Sequence, residues 1–477
     1  MKQNDWKIIY TSYSGTAKRA VNLLSKELST MLIREEGMYR IHVLPCEKEG
    51  CEISKNAFFL GLYDESKVIS KYVSRDEIPE GGFLVKVTKK AEDEEGQIVI
   101  LTANSEETLF YAAVSFLDDY IPEYAPKGGS NPMPELIFDR PLPECSYTQT
   151  PDHKRRSIFT WGHSINDYRA YIDNMARLRL NELVLWNDYI PLNISDIIDY
   201  AHSYGIKVIL GYSWGWNEIE DNLTDEDILR IKTQAIKEYR ECYAPVHCDG
   251  IYFQSFTERK EETISGKLVA AVITDMVNEI ASALWEITPD LRLIFGLHAT
   301  SVNKRLSEIA RVDPRVEILW EDCGEFPFNY NTDVTSEEKY EETKDLIKKI
   351  LHLRGGVGVG LVFKGVMMLD WTKFIHQRGP YVMGENSSLV AIHDRKVRAG
   401  AWRVFSSEWM RSGDRVLEMQ RFINENKIGE VNMCTAGTFD GGIYLPFAIS
   451  AQMFWNSKED YRQLLRRTAR RSCITVD

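Results

Sequence analysis

Asp249-Gly-Ile-Tyr-Phe-Gln-Ser-Phe-Thr-Glu258 is a short apolar run with aromatics that ends in a polar tip bearing a carboxylic acid. Such a run reads as a buried strand. It is the fourth in a series of strands that alternate with helix-patterned segments from about residue 156 to 412. An acid at a strand end, facing a second carboxylate, is the equipment of acid-catalysed glycoside cleavage. One group protonates the leaving oxygen, and the other acts at the anomeric carbon directly or through water. Glu258 is the candidate proton donor. The candidate partners are Glu321 and Asp322 after the sixth strand and Asp370 after the seventh. Side chains alternate along a strand, so Glu321 and Asp322 cannot both face inward if the strand runs through them. Asp322 is favoured, because Trp320-Glu321-Asp322-Cys323-Gly324 puts polar groups and a flexible glycine directly after the strand.

The other strand ends are rich in side chains that suit a sugar. Trp161 and His163 follow the first strand; Trp186, Asn187 and Asp188 the second; Tyr212, Trp214, Trp216 and Asn217 the third. Gln254 and Phe256 precede Glu258, His298 ends the fifth strand, Trp371 follows the seventh, and Glu408 and Trp409 follow the eighth. Of the 11 tryptophans in the chain, seven fall at these ends, although barrel interiors are normally filled by branched aliphatics. Aromatic rings stack on the C–H faces of a pyranose, and amide, imidazole and carboxylate groups bond its hydroxyls. The candidate substrate-binding residues are Trp161, His163, Asn187, Tyr212, Trp214, Gln254, His298, Trp320, Trp371 and Glu408. Each alone has a plainer reading as core, salt bridge or helix cap. Their convergence carries the inference.

Eight strand–helix steps position these ends. The strands are Ser157 to Trp161, Glu182 to Trp186, Lys207 to Tyr212, the Glu258 strand, Leu291 to Leu297, Val316 to Trp320, the Gly355 to Asp370 region and Ala401 to Phe405. That count over about 250 residues predicts a (β/α)₈ barrel, whose strands all end at one rim. An open doubly wound sheet is the rival. It would more often carry Gly-x-Gly-x-x-Gly after the first strand, where this chain has Trp161-Gly-His-Ser-Ile-Asn166. Residues 1 to 140 predict a small α/β domain, with strands at Lys7 to Tyr10 and Gln97 to Leu101 and helices at Ala17 to Leu32 and Ser105 to Tyr120. Pro126 to Pro143 is dense in Pro, Gly and Asn and reads as a linker. The expected organisation is the α/β domain, the barrel at 150 to 412 and a helical extension at 413 to 477 packed on it.

The 477 residues carry a net charge of −13, with 44% hydrophobic and 27% charged residues, an ordinary soluble composition. That balance argues against nucleic acid as a partner, since phosphate contacts need clustered Lys and Arg. One basic cluster exists, Arg466, Arg467, Arg470 and Arg471, and sequence alone favours a solvated helix face there over an anion site. Nothing resembles a membrane span or a secretory leader. The eight cysteines are scattered and form no metal motif, so reduced thiols, a cytoplasmic location and no cofactor are the expectation. The expected partner is an oligosaccharide or glycoside, and a homodimer stays open.

Several segments resemble β-N-acetylhexosaminidases of glycoside hydrolase family 20, α-glucuronidases and α-N-acetylglucosaminidases. Ile98-Val-Ile-Leu-Thr followed by Glu107-Thr-Leu-Phe-Tyr-Ala-Ala-Val resembles their N-terminal domain. Phe159-Thr-Trp-Gly, Ala201-His-Ser-Tyr-Gly-Ile-Lys-Val-Ile and Phe256-Thr-Glu258 resemble their first, third and fourth barrel strands. The resemblance implies an exo-acting hydrolase of a terminal N-acetylhexosaminide, with Glu258 as general acid. One departure matters: family 20 enzymes carry Asp-Glu at the fourth strand end, and Thr257 stands where that Asp would be. Two other readings remain. A uronic-acid-releasing hydrolase needs a cation at the rim, for which Arg156, Lys364 and Arg378 are sources. A catalytically inactive carbohydrate-binding barrel would keep the aromatics and use the acids structurally.

Overall fold

The computed structural model describes residues 6–32, 44–52, 55–90, 95–129, 131–187, 189–215, 223–256, 261–321, 336–355, 358–363, 379–384, 407, 410–411, 413–434 and 438–471. The chain divides into two units, Met1–Pro151 with His202–Gly205, and Asp152–Ala201 with Ile206–Asp477.

The first unit is a six-stranded sheet in the order β2-β1-β3-β5-β4-β6. Its strands are β1 (Trp6–Tyr10), β2 (Cys46–Lys48), β3 (Asn56–Leu62), β4 (Phe83–Lys89), β5 (Gln97–Ala103) and β6 (Cys145–Gln149). The central strands β3 and β5 are buried along nearly their whole length, as unbroken apolar runs such as Ile98-Val-Ile-Leu require. Helix α1 (Gly15–Leu32) buries Ala17, Ala20, Val21, Leu24 and Leu28, a stripe at spacings of one, three and four. Helix α2 (Glu106–Ser115) starts where the sequence signals it: the Ser105 side chain caps it by accepting from the Thr108 N–H at 3.3 Å.

The second unit holds a closed barrel of eight parallel strands. They are β7 (Arg155–Trp161), β8 (Glu182–Trp186), β9 (Lys207–Ser213), β10 (Gly250–Gln254), β11 (Leu293–His298), β12 (Glu317–Glu321), β13 (Val359–Phe363) and β14 (Glu430–Cys434). Helices α3 (Tyr168–Arg177), α4 (Ile194–His202), α5 (Asp225–Glu238), α6 (Val269–Ile287) and α7 (Glu337–Arg354) fall between successive strands. The predicted α/β class, with a small domain and a barrel, is what the structure has. One strand is corrected. Ala401 to Phe405 lies outside the described residues, and the strand that closes the barrel is β14, paired with both β13 and β7. The barrel therefore runs beyond residue 412. A short apolar run such as 401–405 has no periodicity that separates strand from buried helix, while Glu430-Val-Asn-Met-Cys434 is too polar to read as a buried strand. Helices α8 (Leu445–Trp455) and α9 (Tyr461–Arg471) follow.

The barrel interior is layered by polarity. At its N-terminal end Glu182, only 3% exposed, accepts from Ser157 Oγ at 3.0 Å and pairs with Arg292. Arg292 also pairs with Glu317 at 2.7 Å, and Glu317 pairs with Arg155 at 2.6 Å. Among the described residues, two carboxylates face two guanidiniums here, an ion network that forms a plug under the core. Above it lie Phe159 and Tyr252, in edge contact with ring centroids 5.0 Å apart. Two inward glycines make room for large neighbours. A Cβ on Gly211 would lie 2.6 Å from the Trp186 ring, and one on Gly296 would lie 2.0 Å from the Tyr252 hydroxyl.

Removing one member of a buried ion network leaves its partner uncompensated. Glu182→Ala takes only part of that compensation, since Arg292 keeps Glu317, and is expected to lower the unfolding free energy by about 1–3 kcal/mol, measured by urea denaturation. A loss below about 1 kcal/mol would mean the plug contributes little more than a surface pair.

Candidate active site

The C-terminal end of the barrel interior gathers Trp161, Trp186, Gln254, His298 and Glu321, each from a different strand. Alternation puts them on the inner face: Phe159 and Trp161 share a face of β7, Tyr252 and Gln254 a face of β10, and Glu317 and Glu321 a face of β12. Register sets Trp161 beside Trp186 and His298 beside Glu321.

Glu321 is the chemical centre of this layer. It is fully buried. The Tyr252 hydroxyl and the Gln254 side-chain N–H both donate to its Oε1, and Gln254 also donates to the Tyr252 oxygen at 2.7 Å. Trp186 meets Tyr252 edge-on at 5.4 Å and Phe159 does so from another side, so the donors are held by packing as well as by hydrogen bonds. A carboxylate brought this deep is costly unless bonded, and these two donors, both on Oε1, offset part of that cost.

A second polar pair sits at the rim. The Asn187 amide donates to the Tyr381 hydroxyl at 2.8 Å. Tyr381 packs against Gly162, where a Cβ would fall 2.3 Å from the hydroxyl. The segment carrying Tyr381 is clasped to the loop after β8. Asn193 accepts from the Met383 N–H and donates to the Met383 carbonyl, both at 2.9 Å, and the Leu192 N–H donates to the Tyr381 carbonyl at 2.8 Å. Burial pushes the Tyr381 phenol up to about 12, with the Asn187 hydrogen bond opposing the shift, so it stays protonated near neutral pH.

Four of the sequence candidates stand elsewhere. Tyr212 faces outward: its hydroxyl donates to the Ala235 carbonyl of α5 at 2.9 Å and its ring stacks on Tyr243. Trp214 is fully buried, stacked 3.6 Å from Phe253, a residue of the outer face. Trp320, one residue before the inward Glu321, also falls on the outer face and is buried there. None of the three faces the barrel axis, so none is a sugar platform there. Arg156 lies near the opposite end, donating to the Arg179 carbonyl at 2.8 Å and the His153 carbonyl at 2.7 Å, so it supplies no rim cation. Trp161, Asn187, Gln254, His298 and Glu321 are at the rim layer, and His163 lies on the turn just after β7. Glu258, Asp322, Asp370, Trp371, Glu408, Lys364 and Arg378 lie outside the described residues, as do Asp188, Trp216, Asn217, Thr257 and Trp409.

Sequence reasoning missed Tyr252 and Tyr381. Tyr252 was legible, because it sits two residues before Gln254 and so shares its face. Tyr381 was not: nothing local in Gly379-Pro-Tyr-Val-Met-Gly384 says that it crosses to the first and second strands. Among the described residues no group of three or more His, Cys, Asp or Glu could hold a metal ion, and no helix is long and apolar enough to cross a membrane.

Tyr252→Phe removes a donor from a buried carboxylate and is expected to cost about 1–3 kcal/mol in urea denaturation. Tyr212→Phe, which loses one neutral bond in the outer layer, should cost about 1 kcal/mol and leave any sugar affinity unchanged. A change in sugar affinity on Tyr212→Phe would contradict its outward placement.

No protein-family model matches the sequence, and no curated protein matches it either. Solved structures do. The protein CpGH84D aligns with a TM-score of 0.51 at 13% identity, over 97% of this chain and 67% of its own. A GH138 enzyme described as targeting pectin rhamnogalacturonan II aligns at 0.49 and 10% identity, over 96% of this chain and 51% of its own. A family 89 glycoside hydrolase from Clostridium perfringens aligns at 0.42 and 10% identity, over 84% and 48%. The chain thus spans about two thirds of the first and half of the others. At such identity the likeness to CpGH84D is one of fold: this chain shares its overall architecture across nearly all of its length.

Proposed function

We propose that this protein is an exo-acting glycoside hydrolase that cleaves a terminal sugar at the C-terminal mouth of the barrel. The observation that carries the reading is Glu321, a fully buried carboxylate held by Tyr252 and Gln254 at the end of the sixth strand. Enzymes of this fold keep their chemistry at that end, whereas a carboxylate serving only stability would more often be found in a plug like that at the opposite end. The fold shared with CpGH84D is consistent with the reading.

Glu258 is the general acid in this proposal. It follows Gln254 by four residues, so at most about 14 Å of chain ties it to the rim. Its proton passes to the glycosidic oxygen as the bond to the anomeric carbon breaks, and the leaving group departs as a neutral alcohol. Positive charge builds on the sugar ring as that bond breaks and needs a fixed anion, until water adds to the anomeric carbon and gives its proton back to Glu258. Glu321, oriented by Tyr252 and Gln254, supplies that anion, and it takes this role because it lies on the inner face of β12. Trp161 and Trp186 line the same layer.

The finer reading is a terminal N-acetylhexosaminide. It rests on the family resemblance and on the Asn187–Tyr381 pair, whose amide and hydroxyl suit an acetamide or ring hydroxyl. Tyr212, Trp214 and Trp320 no longer support it, because they face away from the mouth. A uronate substrate finds no described cation at the rim to favour it.

The test is hydrolysis of aryl N-acetylglucosaminide, N-acetylgalactosaminide, glucoside and glucuronide, in both anomers, by wild type and Glu258→Gln. Turnover of an N-acetylhexosaminide at least about tenfold above the others, ~1.4 kcal/mol in the transition state, is expected. Glu258→Gln should lower turnover of an unactivated glycoside by about 10²–10⁴-fold and of an aryl glycoside by less. Preference for the glucoside or glucuronide overturns the acetamide reading alone. Wild-type rates in Glu258→Gln on both substrate types overturn the assignment of the acid.

A further inference from the structure

A second concave polar surface lies apart from the rim residues, between helical residues 413–425 and α9. It is a cavity of about 470 Å³ whose lining includes Arg411, Asp414, Tyr461, Arg462, Leu465 and Arg466. Three guanidiniums line it against one carboxylate, in a chain whose net charge is −13. Arg462 and Arg466 are one turn apart on α9, where like charges repel and cost stability unless a counter-charge is present.

Three neighbouring arginines already have partners in the protein. Arg467 pairs with Glu459, Arg415 pairs with Glu337, and Arg421 donates to the carbonyls of Ser457 at 2.9 Å and Glu459 at 3.0 Å. Arg462 and Arg466 form no ion pair among the described residues, and they are the α9 arginines that line the cavity. The cavity is also built on a tight joint. The Tyr461 hydroxyl lies so close to Gly413 that a Cβ there would fall 2.2 Å from it. This contact fixes α9 against the 413–425 helix, and so fixes Arg462 and Arg466 relative to Arg411 and Asp414. Sequence alone favoured a solvated face for the basic run. The cavity, the third arginine from another element and the contrast with the paired arginines are what the structure adds.

We propose that this cavity binds a phosphate-bearing small molecule, with the phosphate between Arg462 and Arg466 and Arg411 across from them. A phosphate monoester carries up to two charges and three terminal oxygens, which suit guanidinium forks arriving from two helices. A carboxylate carries one charge and would leave the cavity cationic. The proposal stands independently of what the barrel mouth cleaves.

The test is titration calorimetry of the full chain with inorganic phosphate and with phenyl phosphate, at ionic strength fixed by sodium chloride. Wild type is expected to bind both ligands saturably at one site per chain. The Arg462→Gln/Arg466→Gln double variant should bind each at least about tenfold more weakly. Both side chains are exposed, so the double variant should melt with wild type, as circular dichroism would check. Arg315→Gln, which alters an exposed arginine elsewhere, should bind as wild type does. Equal affinity in wild type and double variant, or no saturable binding by wild type up to about 10 mM, overturns the proposal. Binding of inorganic phosphate with exclusion of phenyl phosphate marks an ion site only and overturns it as well.

Discussion

A carboxylate inside a closed barrel is costly unless it is bonded, and much of the second unit's interior can be understood from that constraint on Glu321. Its two donors come from one strand, Tyr252 and Gln254 of β10, and reach β12 across β11. That reach is open only because β11 presents Gly296 there, where any Cβ would meet the Tyr252 hydroxyl. Tyr252 is in turn walled by Phe159 and Trp186, and Trp186 fits because Gly211 leaves its ring space. One buried carboxylate thus accounts for two glycines, three aromatics and an amide that otherwise look like unrelated choices.

The two polar ends of the barrel solve the same electrostatic problem differently. At the N-terminal end charge meets charge, with Arg155 and Arg292 against Glu182 and Glu317 among the described residues. At the C-terminal end the described donors to Glu321, Tyr252 and Gln254, are neutral, and they orient its carboxylate without cancelling charge. Neutral donors fix geometry and leave a negative potential that a developing cation can use. A guanidinium in their place would quench it. This difference, more than burial, is why we place the chemistry at β12 and not at the plug.

Strand order and the rim were legible in the sequence because alternating strand and helix patterns and turn residues encode them locally. Which way a strand-end residue points is a matter of parity, and there the reading of whole strand ends as one surface went too far. Trp320 and Glu321 are adjacent, yet one is buried on the outer face and the other faces the barrel axis. Tyr212 and Trp214 were misplaced for the same reason, since an aromatic at a strand end looks alike on either face. Strand β14 escaped because its Glu430 and Asn432 break the apolar run expected of a barrel strand. Tyr381 escaped because its role depends on a long-range clasp to Asn193, which no local pattern records. The cavity at Arg462 and Arg466 likewise needs a second helix to exist.

The central claim is that the charge of Glu321 serves the reaction while its donors serve the fold. Glu321→Gln keeps the shape and keeps an oxygen for Tyr252 and Gln254, but removes the charge. The most direct measurement is kcat of this variant on the best aryl glycoside, alongside its unfolding free energy. We predict a loss in kcat of at least about 10²-fold, the scale of losing a preorganised electrostatic contact, with stability within about 1 kcal/mol of wild type. Wild-type kcat in a folded Glu321→Gln variant would contradict the account and leave Glu321 a structural group.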